Sequence, residues 1–464
     1  MITPVTKRLE FRGSWLGVLA PFALFLSGVT WLALAGAPDE RGFWPILLAA
    51  LTLGLLLVRD RTHYCEVVLG GMSQPIVMVM IMAWLLSGVL GAILSASGFV
   101  EALVWLARAA GLQGAGYVVA AFLACAVVST ATGTSFGTLL LAGPLLYPAG
   151  AAVAAHPAVL MGAILGGATF GDSISPVSDT TIASAGTQGA DIGGVVRSRL
   201  KYVLPAGAIA ALASGLLNLT RESVGASAAA PLPTVSARGL PMLAIPIVVI
   251  ALLVAKRHLL EGLLFGILTA TAVALGFGLM SPSKLLYIDR GAFAAKGIIV
   301  DGMNRGIGAS VFTILLVGLV ATLQATGALE RVVRWATRDG TSARVAEVWI
   351  VAAVTVAVLL TTHSIVAMLA VGEMAKRSGE RVGLSAYRRA NLLDMTVCTW
   401  PFLLPYCIPT ILASSASVSG AGFGMPRISP FTVGMYNTYA WALLVMVIVA
   451  VATGYGRGEG SAVA

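Results

Sequence analysis

The sequence predicts an all-α polytopic membrane protein made of two inverted halves. Three observations predict this fold class. The 464 residues are 58% hydrophobic and only 11% charged, and they contain many apolar stretches of the length that crosses a bilayer as a helix. One apolar motif recurs later in the chain, and polar clusters interrupt several apolar segments. We therefore expect an inverted-topology repeat of about ten transmembrane helices plus two re-entrant hairpins, with broken helices at the membrane midplane.

Composition favours a membrane protein over a nucleic-acid-binding, metal-binding or disulfide-rich protein. The formal net charge is +9, but the Lys and Arg residues are scattered through short loops, so membrane topology explains them better than nucleic-acid binding. The first apolar run, residues 14–36, is long enough to span and lacks a clear cleavage site, so we expect no cleavable signal. The four cysteines have neither metal-ligand nor disulfide spacing: Cys65, Cys125, Cys398 and Cys407. We therefore expect the protein to be surrounded by membrane lipid and to bind no nucleic acid.

An internal repeat divides the chain. The stretch LLSGVLGAILSASGFVEALVWLAR at 85–108 resembles LLVGLVATLQATGALERVVRWATR at 315–338, which indicates duplication. Between the two copies lies RESVGASAAAPLPTVSARG at 221–239, rich in Ala, Ser, Gly and Pro. The predicted organisation is a first repeat at 1–220, a linker at 221–239 and a second repeat at 240–464.

The positions of basic residues predict that the two repeats face opposite ways. In the first half, the segments on the cytoplasmic side by the positive-inside rule carry Lys7, Arg8, Arg12, Arg59 and Arg61. In the second half, the basic segments fall at different points of the repeat and carry Lys256, Arg257, Arg331, Arg334, Arg338 and Arg344. This swap predicts inverted halves with both termini cytoplasmic, in a bacterial-type cytoplasmic (inner) membrane.

The individual segments follow from this topology. The first half contains spans near 14–36, 43–58 and 72–97, a hairpin at 115–150 interrupted at 129–138, a broken helix ending at 197–201, and a last span near 203–220. In the second half, the hairpin falls at 345–375, and the interruptions fall at TTHS, 361–364, and at LDMTVCTWPFLLP, 393–405. Interrupted helices survive in a bilayer where they line a cavity or are buried in protein. The four interruptions therefore predict one central site.

The most polar interruption is GATFGDSISPVSDTTIASAG, 167–186. Pro176 cannot donate to the helix ladder and Gly171 relaxes the backbone, so carbonyl groups are freed to coordinate a cation. Asp172 and Asp179 supply negative charge and are the Na⁺ candidates. A carboxylate in a spanning segment costs about 2.5 to 3.5 kcal/mol on insertion scales, which favours a functional role. The same reasoning makes Asp394 a candidate.

Structural roles compete with these interpretations. Hydroxyl groups in apolar helices often bond the carbonyl one turn back, which is an equal alternative for Ser129, Thr130, Thr138 and Ser184. His363 is either a structural hydrogen-bonding group or part of the site. The run GAILGG at 162–167 is expected to permit close helix packing rather than ligand binding.

The stretch FGDSISPVSDTTIASAGTQGADI, 170–192, resembles the signature of the NhaC-type sodium/proton antiporter family, within the ion transporter superfamily. TATGTSFGT at 130–138, NLLDMTVCTWPFLLPY at 391–406 and PFTVGMYNTY at 430–439 are similar to further motifs of that family. Where sodium-transporting members have Pro-Trp-Asn, this chain has Pro405, Tyr406 and Cys407. The resemblance therefore leaves open what the second half binds.

The resemblance implies a set of ion and substrate ligands. From the first half it implies Thr132, Thr134, Ser135, Asp172, Ser175, Ser178, Asp179, Thr180 and Thr181. From the second half it implies Thr362, Ser364, Asp394, Thr396 and Thr399, with His363 and Asn437 as further candidates. It also implies a homodimer.

Three functions follow from these observations. The leading interpretation is a secondary antiporter of Na⁺, or another small monovalent cation, for H⁺, because a buried carboxylate can bind either ion but not both. The alternative is a Na⁺- or H⁺-coupled transporter or exchanger of a small organic solute, a carboxylate or an amino acid. An integral-membrane enzyme is disfavoured, since the chain has no HExxH motif and no Gly-rich phosphate loop. No cofactor is expected beyond the coupling ion.

Overall fold

The computed structural model describes residues 8–13, 15–35, 40–176, 178–220, 236–255, 257–291, 293–327, 342–362 and 364–457. In the first half, the α-helices are α1 Trp15–Leu34, α2 Phe43–Leu57, α3 Arg61–Met72, α4 Pro75–Ala96, α5 Phe99–Ala109, α6 Ala115–Thr132, α7 Ser135–Ala149, α8 Pro157–Ile174, α9 Asp179–Gln188 and α10 Ile192–Thr220.

The second half of the described chain is also helical. Its α-helices are α11 Ala244–Val254, α12 Leu259–Gly276, α13 Pro282–Leu285, α14 Ile298–Ala325, α15 Ala343–Thr361, α16 Ser364–Arg381, α17 Ala386–Val397, α18 Ile408–Ser417, α19 Pro430–Tyr436 and α20 Thr438–Thr453. Short 3-10 helices lie at Glu40–Gly42, Gly150–Val153, Ala237–Leu243, Trp400–Phe402 and Val418–Phe423. One antiparallel hairpin pairs β1, Tyr287–Asp289, with β2, Ala294–Lys296.

The described helices confirm an all-α, multi-pass membrane protein. Ten spans among the described residues are long and apolar enough to cross a membrane, with α8 and α9 together forming one of them. Both arms of the first predicted hairpin, α6 and α7, are among the ten, whereas the 15-residue α2 falls below the length required. The helices on either side of Asn437, α19 and α20, are bent by 57° relative to each other and together are apolar enough for a broken span or a re-entrant loop.

The structure differs from the prediction in one additional helix and one helix end. Helix α3 was not expected, and its first turn is stabilised by Asp60, which accepts a hydrogen bond from the His63 backbone at 3.0 Å. The predicted helix end at 197–201 is wrong, because α10 runs unbroken from Ile192 to Thr220. Within it, Arg199 is buried and its charge is compensated inside the protein, so this basic residue does not mark the membrane surface.

The helix bounds recur at a near-constant offset. Helices α7 and α16 begin at Ser135 and Ser364, and helices α9 and α18 begin at Asp179 and Ile408, so both pairs are separated by 229 residues (364 − 135 and 408 − 179). Most of the predicted linker, 221–235, and the end of the second sequence copy, 328–338, lie outside the described residues. The opposite orientation of the halves stays a prediction.

Small residues bring the helices that carry the interruptions into backbone contact. A Cβ added at Gly167 on α8 would lie 2.1 Å from the Phe122 carbonyl oxygen of α6, and one at Gly171 would lie 2.2 Å from the Ala126 carbonyl oxygen. Close packing also occurs between uninterrupted helices, since a Cβ at Gly88 on α4 would lie 2.2 Å from the Gly302 carbonyl oxygen of α14. The GAILGG run, which contains Gly167, therefore serves close packing, as the sequence predicts.

Candidate ion-binding site

The four interruptions line one small cavity of about 50 Å³. They are the α6–α7 turn, the α8–α9 break, the α15–α16 turn and the longer α17–α18 break. Of the residues proposed from sequence, the ones that line this cavity are Thr134, Ser135, Asp172, Ser178, Asp179, Thr180, Thr362 and Ser364. A space of this size holds a small cation or a few water molecules. We call it the small cavity.

The two helices that lead into these turns end in the same backbone conformation. Gly133 ends α6 and Thr362 ends α15, and both adopt the left-handed conformation, with φ of 70° and 53°. Glycine adopts this conformation readily, whereas a β-branched residue such as threonine is strained in it. After Gly133, the Thr134 hydroxyl accepts a hydrogen bond from the Gly137 backbone at 3.2 Å and begins α7. The turns thus place polar groups at the cavity without continuing the helix.

Asp172 supplies the charge most enclosed by the small cavity. It lies in the last turn of α8 and is 6% exposed. Its Oδ1 atom is buried without a hydrogen-bond partner among the described residues, while the hydroxyl groups of Ser178 and Ser135 interact with the carboxylate. A buried carboxylate with an unsatisfied oxygen is costly, and either a proton or a small cation would remove that cost.

Asp179 connects the small cavity to a larger one. It is the first residue of α9, it is exposed, and it lines both spaces. The larger cavity, which we call the wide cavity, encloses about 620 Å³. It extends past Thr132 and Ile192 to Arg257, an exposed residue of the α11–α12 loop. Asp179 therefore borders both the wide cavity and the small cavity that contains Asp172.

Asp394 is not among the residues that line the small cavity. Its Oδ2 atom lies 2.5 Å from Nη2 of Arg199, and both side chains are 1% exposed. The hydroxyl groups of Thr181 and Ser184 donate to the same oxygen at 3.3 and 3.4 Å. The structure thus pairs this carboxylate with an arginine that the sequence analysis missed.

A periodic pattern could have identified Arg199. Residues 195, 199, 202, 206 and 210 share one face of α10, and all five are buried. The other four are Val195, Tyr202, Ala206 and Ala210, which are apolar or aromatic. A basic residue in the middle of such a face is expected to have an internal partner. The missed signal is therefore the helical spacing of Arg199, which its position in a basic run concealed.

The other predicted ligands make structural hydrogen bonds. Ser175 donates to the Thr130 carbonyl at 2.8 Å, and Thr396 and Thr399 donate to carbonyls of their own segment at 2.7 Å. Thr132 also donates to a helix carbonyl, at 2.9 Å, although it lines the wide cavity. Asn437 is the N-cap residue of α20 and donates to the Phe402 carbonyl at 3.1 Å. His363 lies outside the described residues.

Comparison with known proteins finds one family model that matches part of the chain. Residues 67–219 match the model of the Na⁺/H⁺ antiporter family. The chain is 28% identical over 200 residues to the malate-2H⁺/Na⁺-lactate antiporter of Bacillus subtilis (strain 168), covering 43% of this chain and 40% of that protein. It is 29% identical over 229 residues to the Na⁺/H⁺ antiporter NhaC of Alkalihalophilus pseudofirmus, covering 47% and 48%.

A shorter match is to the arginine/ornithine antiporter ArcD of Halobacterium salinarum, 33% identical over 109 residues, covering 24% of this chain and 22% of that protein. The matched regions span less than half the length of each of these relatives. The family match includes the α6–α7 turn and the α8–α9 break with Asp172 and Asp179. The similarity to the Na⁺/H⁺ antiporter family model therefore covers residues 67–219 of this chain.

Proposed function

We propose that the protein is a secondary active transporter that exchanges Na⁺, or another small monovalent cation, for H⁺. The observation that carries this proposal is the carboxylate of Asp172 in the small cavity. There, one buried oxygen lacks a hydrogen-bond partner among the described residues. Na⁺ and H⁺ compete for such a group because each neutralises it, and a low-dielectric site disfavours both the bare carboxylate and a doubly occupied one.

The size and chemistry of the small cavity favour a cation. About 50 Å³ accommodates an ion with little of its hydration shell, and oxygen atoms suit a hard cation. Ser135, Ser178, Thr180 and Thr362 contribute neutral oxygen ligands around Asp172. These are the ligands that we assign to the ion, and no cofactor enters the mechanism.

The wide cavity provides the access route. It is bordered by the α11–α12 loop, which the positive-inside rule places in the cytoplasm. We infer a state open toward the cytoplasm, in which Asp179 draws cations toward Asp172. The proposal includes two cytoplasmic termini and a location in the inner membrane. The homodimer stays a prediction.

One feature favours a second candidate, a Na⁺- or H⁺-coupled exchanger of a small organic solute. The wide cavity, at about 620 Å³, is large enough for a small carboxylate or amino acid, and Arg257 at its edge is a potential anion partner. Two similar proteins are named as a malate-2H⁺/Na⁺-lactate antiporter and an arginine/ornithine antiporter. In this case Asp172 would hold the coupling ion and the wide cavity the solute.

Reconstitution distinguishes the two candidates. In liposomes containing the purified protein, an imposed Na⁺ gradient should drive proton movement without any organic solute, and a pH gradient should drive Na⁺ movement in return. Protein-free liposomes are the control. Proton movement that requires malate, lactate or an amino acid would favour the second candidate, and no gradient-dependent flux of either kind would contradict transport altogether.

Access to the wide cavity can be tested on one helix. In a background lacking the four native cysteines, Thr132→Cys should react with an impermeant maleimide in inside-out vesicles, because its position lines the wide cavity. Val127→Cys is the matched control, since position 127 is also on α6 and 70% exposed but is not among the residues lining the wide cavity, so we expect lipid around it. Labelling of position 132 from the opposite side alone would contradict the cytoplasmic opening.

A further inference from the structure

The guanidinium group of Arg199 joins both broken helices beside the small cavity. Its Nη1 atom donates to the Ser173 carbonyl at 3.0 Å and to the Thr181 hydroxyl at 2.9 Å. Ser173 belongs to α8 and Thr181 to α9, so these two bonds lie on either side of the first-half break. One side chain thus holds the two pieces of this helix at a fixed separation.

The same group also holds the second broken helix. Nε of Arg199 donates to Oδ1 of Asn391 at 3.1 Å, and Nη2 forms the 2.5 Å ion pair with Asp394. Asn391 and Asp394 both belong to α17. Arg199 itself lies on α10, and it is 0% exposed. The contacts therefore connect the predicted first repeat with the predicted second one.

The ion pair gives Asp394 a permanent counter-ion. Arginine stays protonated in proteins, and its planar fork suits a carboxylate. A Na⁺ ion that approached Asp394 would have to displace a buried guanidinium group, which would then lack a partner in a low-dielectric environment. Asp172 has no such counter-ion among the described residues, so the two carboxylates differ in what they can bind.

Arg199 also supports the helix turn that carries Asp172. Helix α8 ends at Ile174, so the carbonyl groups of its last turn find no backbone N–H donor within the helix. The carbonyl of Ser173, the residue after Asp172, instead accepts the hydrogen bond from Arg199. The position of Asp172 at the small cavity is thereby linked to the guanidinium group.

From these contacts we propose that Arg199 is a positioning residue, a fixed internal cation for Asp394, and that Asp394 shapes the site without exchanging Na⁺ for H⁺. This inference rests on the proposed antiport function and deepens it. It assigns ion exchange to the Asp172 side of the small cavity. It assigns the joining of the two broken helices to the Arg199–Asp394 pair.

A double-mutant cycle tests the inference with two readouts. The proteins are wild type, Arg199→Gln, Asp394→Asn and the double variant, each measured for apparent melting temperature and for Na⁺-driven proton flux in liposomes. Each single variant leaves one buried charge unpaired. We expect each to melt at a clearly lower temperature and to need about tenfold more Na⁺ for half-maximal flux.

The double variant removes both charges and retains amide groups that can hydrogen-bond to the same neighbours. We expect its melting temperature to recover most of the loss, and its Na⁺ requirement to return to within about threefold of wild type. Arg197→Gln is the matched control, because it makes the same change two residues away at an exposed position of α10. That variant should resemble wild type in both readouts.

The possible outcomes separate the two proposals. A folded double variant that needs as much Na⁺ for half-maximal flux as Asp394→Asn would overturn the inference, since Asp394 would then take part in exchange. Additive destabilisation, or a double variant that does not accumulate in the membrane, would also overturn it, because a neutral pair should be tolerated. If wild type shows no Na⁺-driven proton flux, the antiport function fails, whereas the melting temperatures still test the ion pair.

Discussion

Asp172→Asn should abolish Na⁺-driven proton movement in liposomes while leaving the protein folded in the membrane. Asparagine keeps the shape of the side chain and one acceptor oxygen, but it carries no charge and cannot exchange a proton. The substitution would remove the negative charge of Asp172 from the small cavity. Among the described residues, no arginine or lysine forms an ion pair with this carboxylate. Interactions of such a charge are strong at low dielectric, so we expect a loss of at least about a hundredfold.

The matched control is Asp289→Asn, which makes the same chemical change in the β1–β2 hairpin. Asp289 pairs with Lys296 at 2.6 Å, and both side chains are partly exposed. Flux through this variant should stay near that of wild type. Substantial Na⁺/H⁺ exchange by correctly inserted Asp172→Asn protein would remove this carboxylate from the mechanism.

Glu347→Gln should strongly destabilise the protein without involving the small cavity. Glu347 on α15 is 0% exposed and accepts a hydrogen bond from Nε of Arg388 at 2.8 Å. Nη2 of Arg457, beyond the end of α20, lies 2.7 Å from its other oxygen. The substitution leaves the charge of buried Arg388 without its carboxylate, and breaking a buried pair costs about 3 to 5 kcal/mol.

Thermal unfolding in detergent measures this effect. We expect the apparent melting temperature of Glu347→Gln to fall by about 5 °C or more. Glu373→Gln serves as the comparison, because Glu373 forms an exposed ion pair with Arg377 and is 67% exposed. Exposed pairs contribute about 0 to 1 kcal/mol, so this variant should melt close to wild type. Equal melting temperatures for the two variants would show that the Glu347 contacts are not stabilising.

Much of the fold could be predicted from sequence because the bilayer restricts it. The length of the apolar segments predicts the spanning helices. The polar clusters within them predict the breaks, which are buried in protein because lipid cannot form hydrogen bonds with free backbone groups. The convergence of the four interruptions on the small cavity agrees with that reasoning. Helix α3 escaped prediction because it is short and less apolar, and the unbroken α10 escaped because its basic run resembles a membrane boundary.

The ranking of site residues needed three-dimensional information. From sequence alone, Asp172, Asp179 and Asp394 are all carboxylates in apolar segments, with Asp172 and Asp179 as the Na⁺ candidates. Their differences arise from long-range partners: Asp394 meets Arg199, which is 195 residues away in the chain (394 − 199). Asp179 is exposed toward the wide cavity, whereas Asp172 is buried. No local pattern encodes these contacts, because they depend on how the two broken helices pack.

The most direct test of a shared site for Na⁺ and H⁺ is proton release on Na⁺ binding. Purified protein in weakly buffered detergent solution would receive NaCl or, as the control, choline chloride, and a pH indicator would report released protons. If Na⁺ displaces a proton from Asp172, wild type should release up to about one proton per chain, and Asp172→Asn should release none. Release from Asp172→Asn equal to that from wild type, or Na⁺ binding to wild type without any proton release, would contradict the shared site.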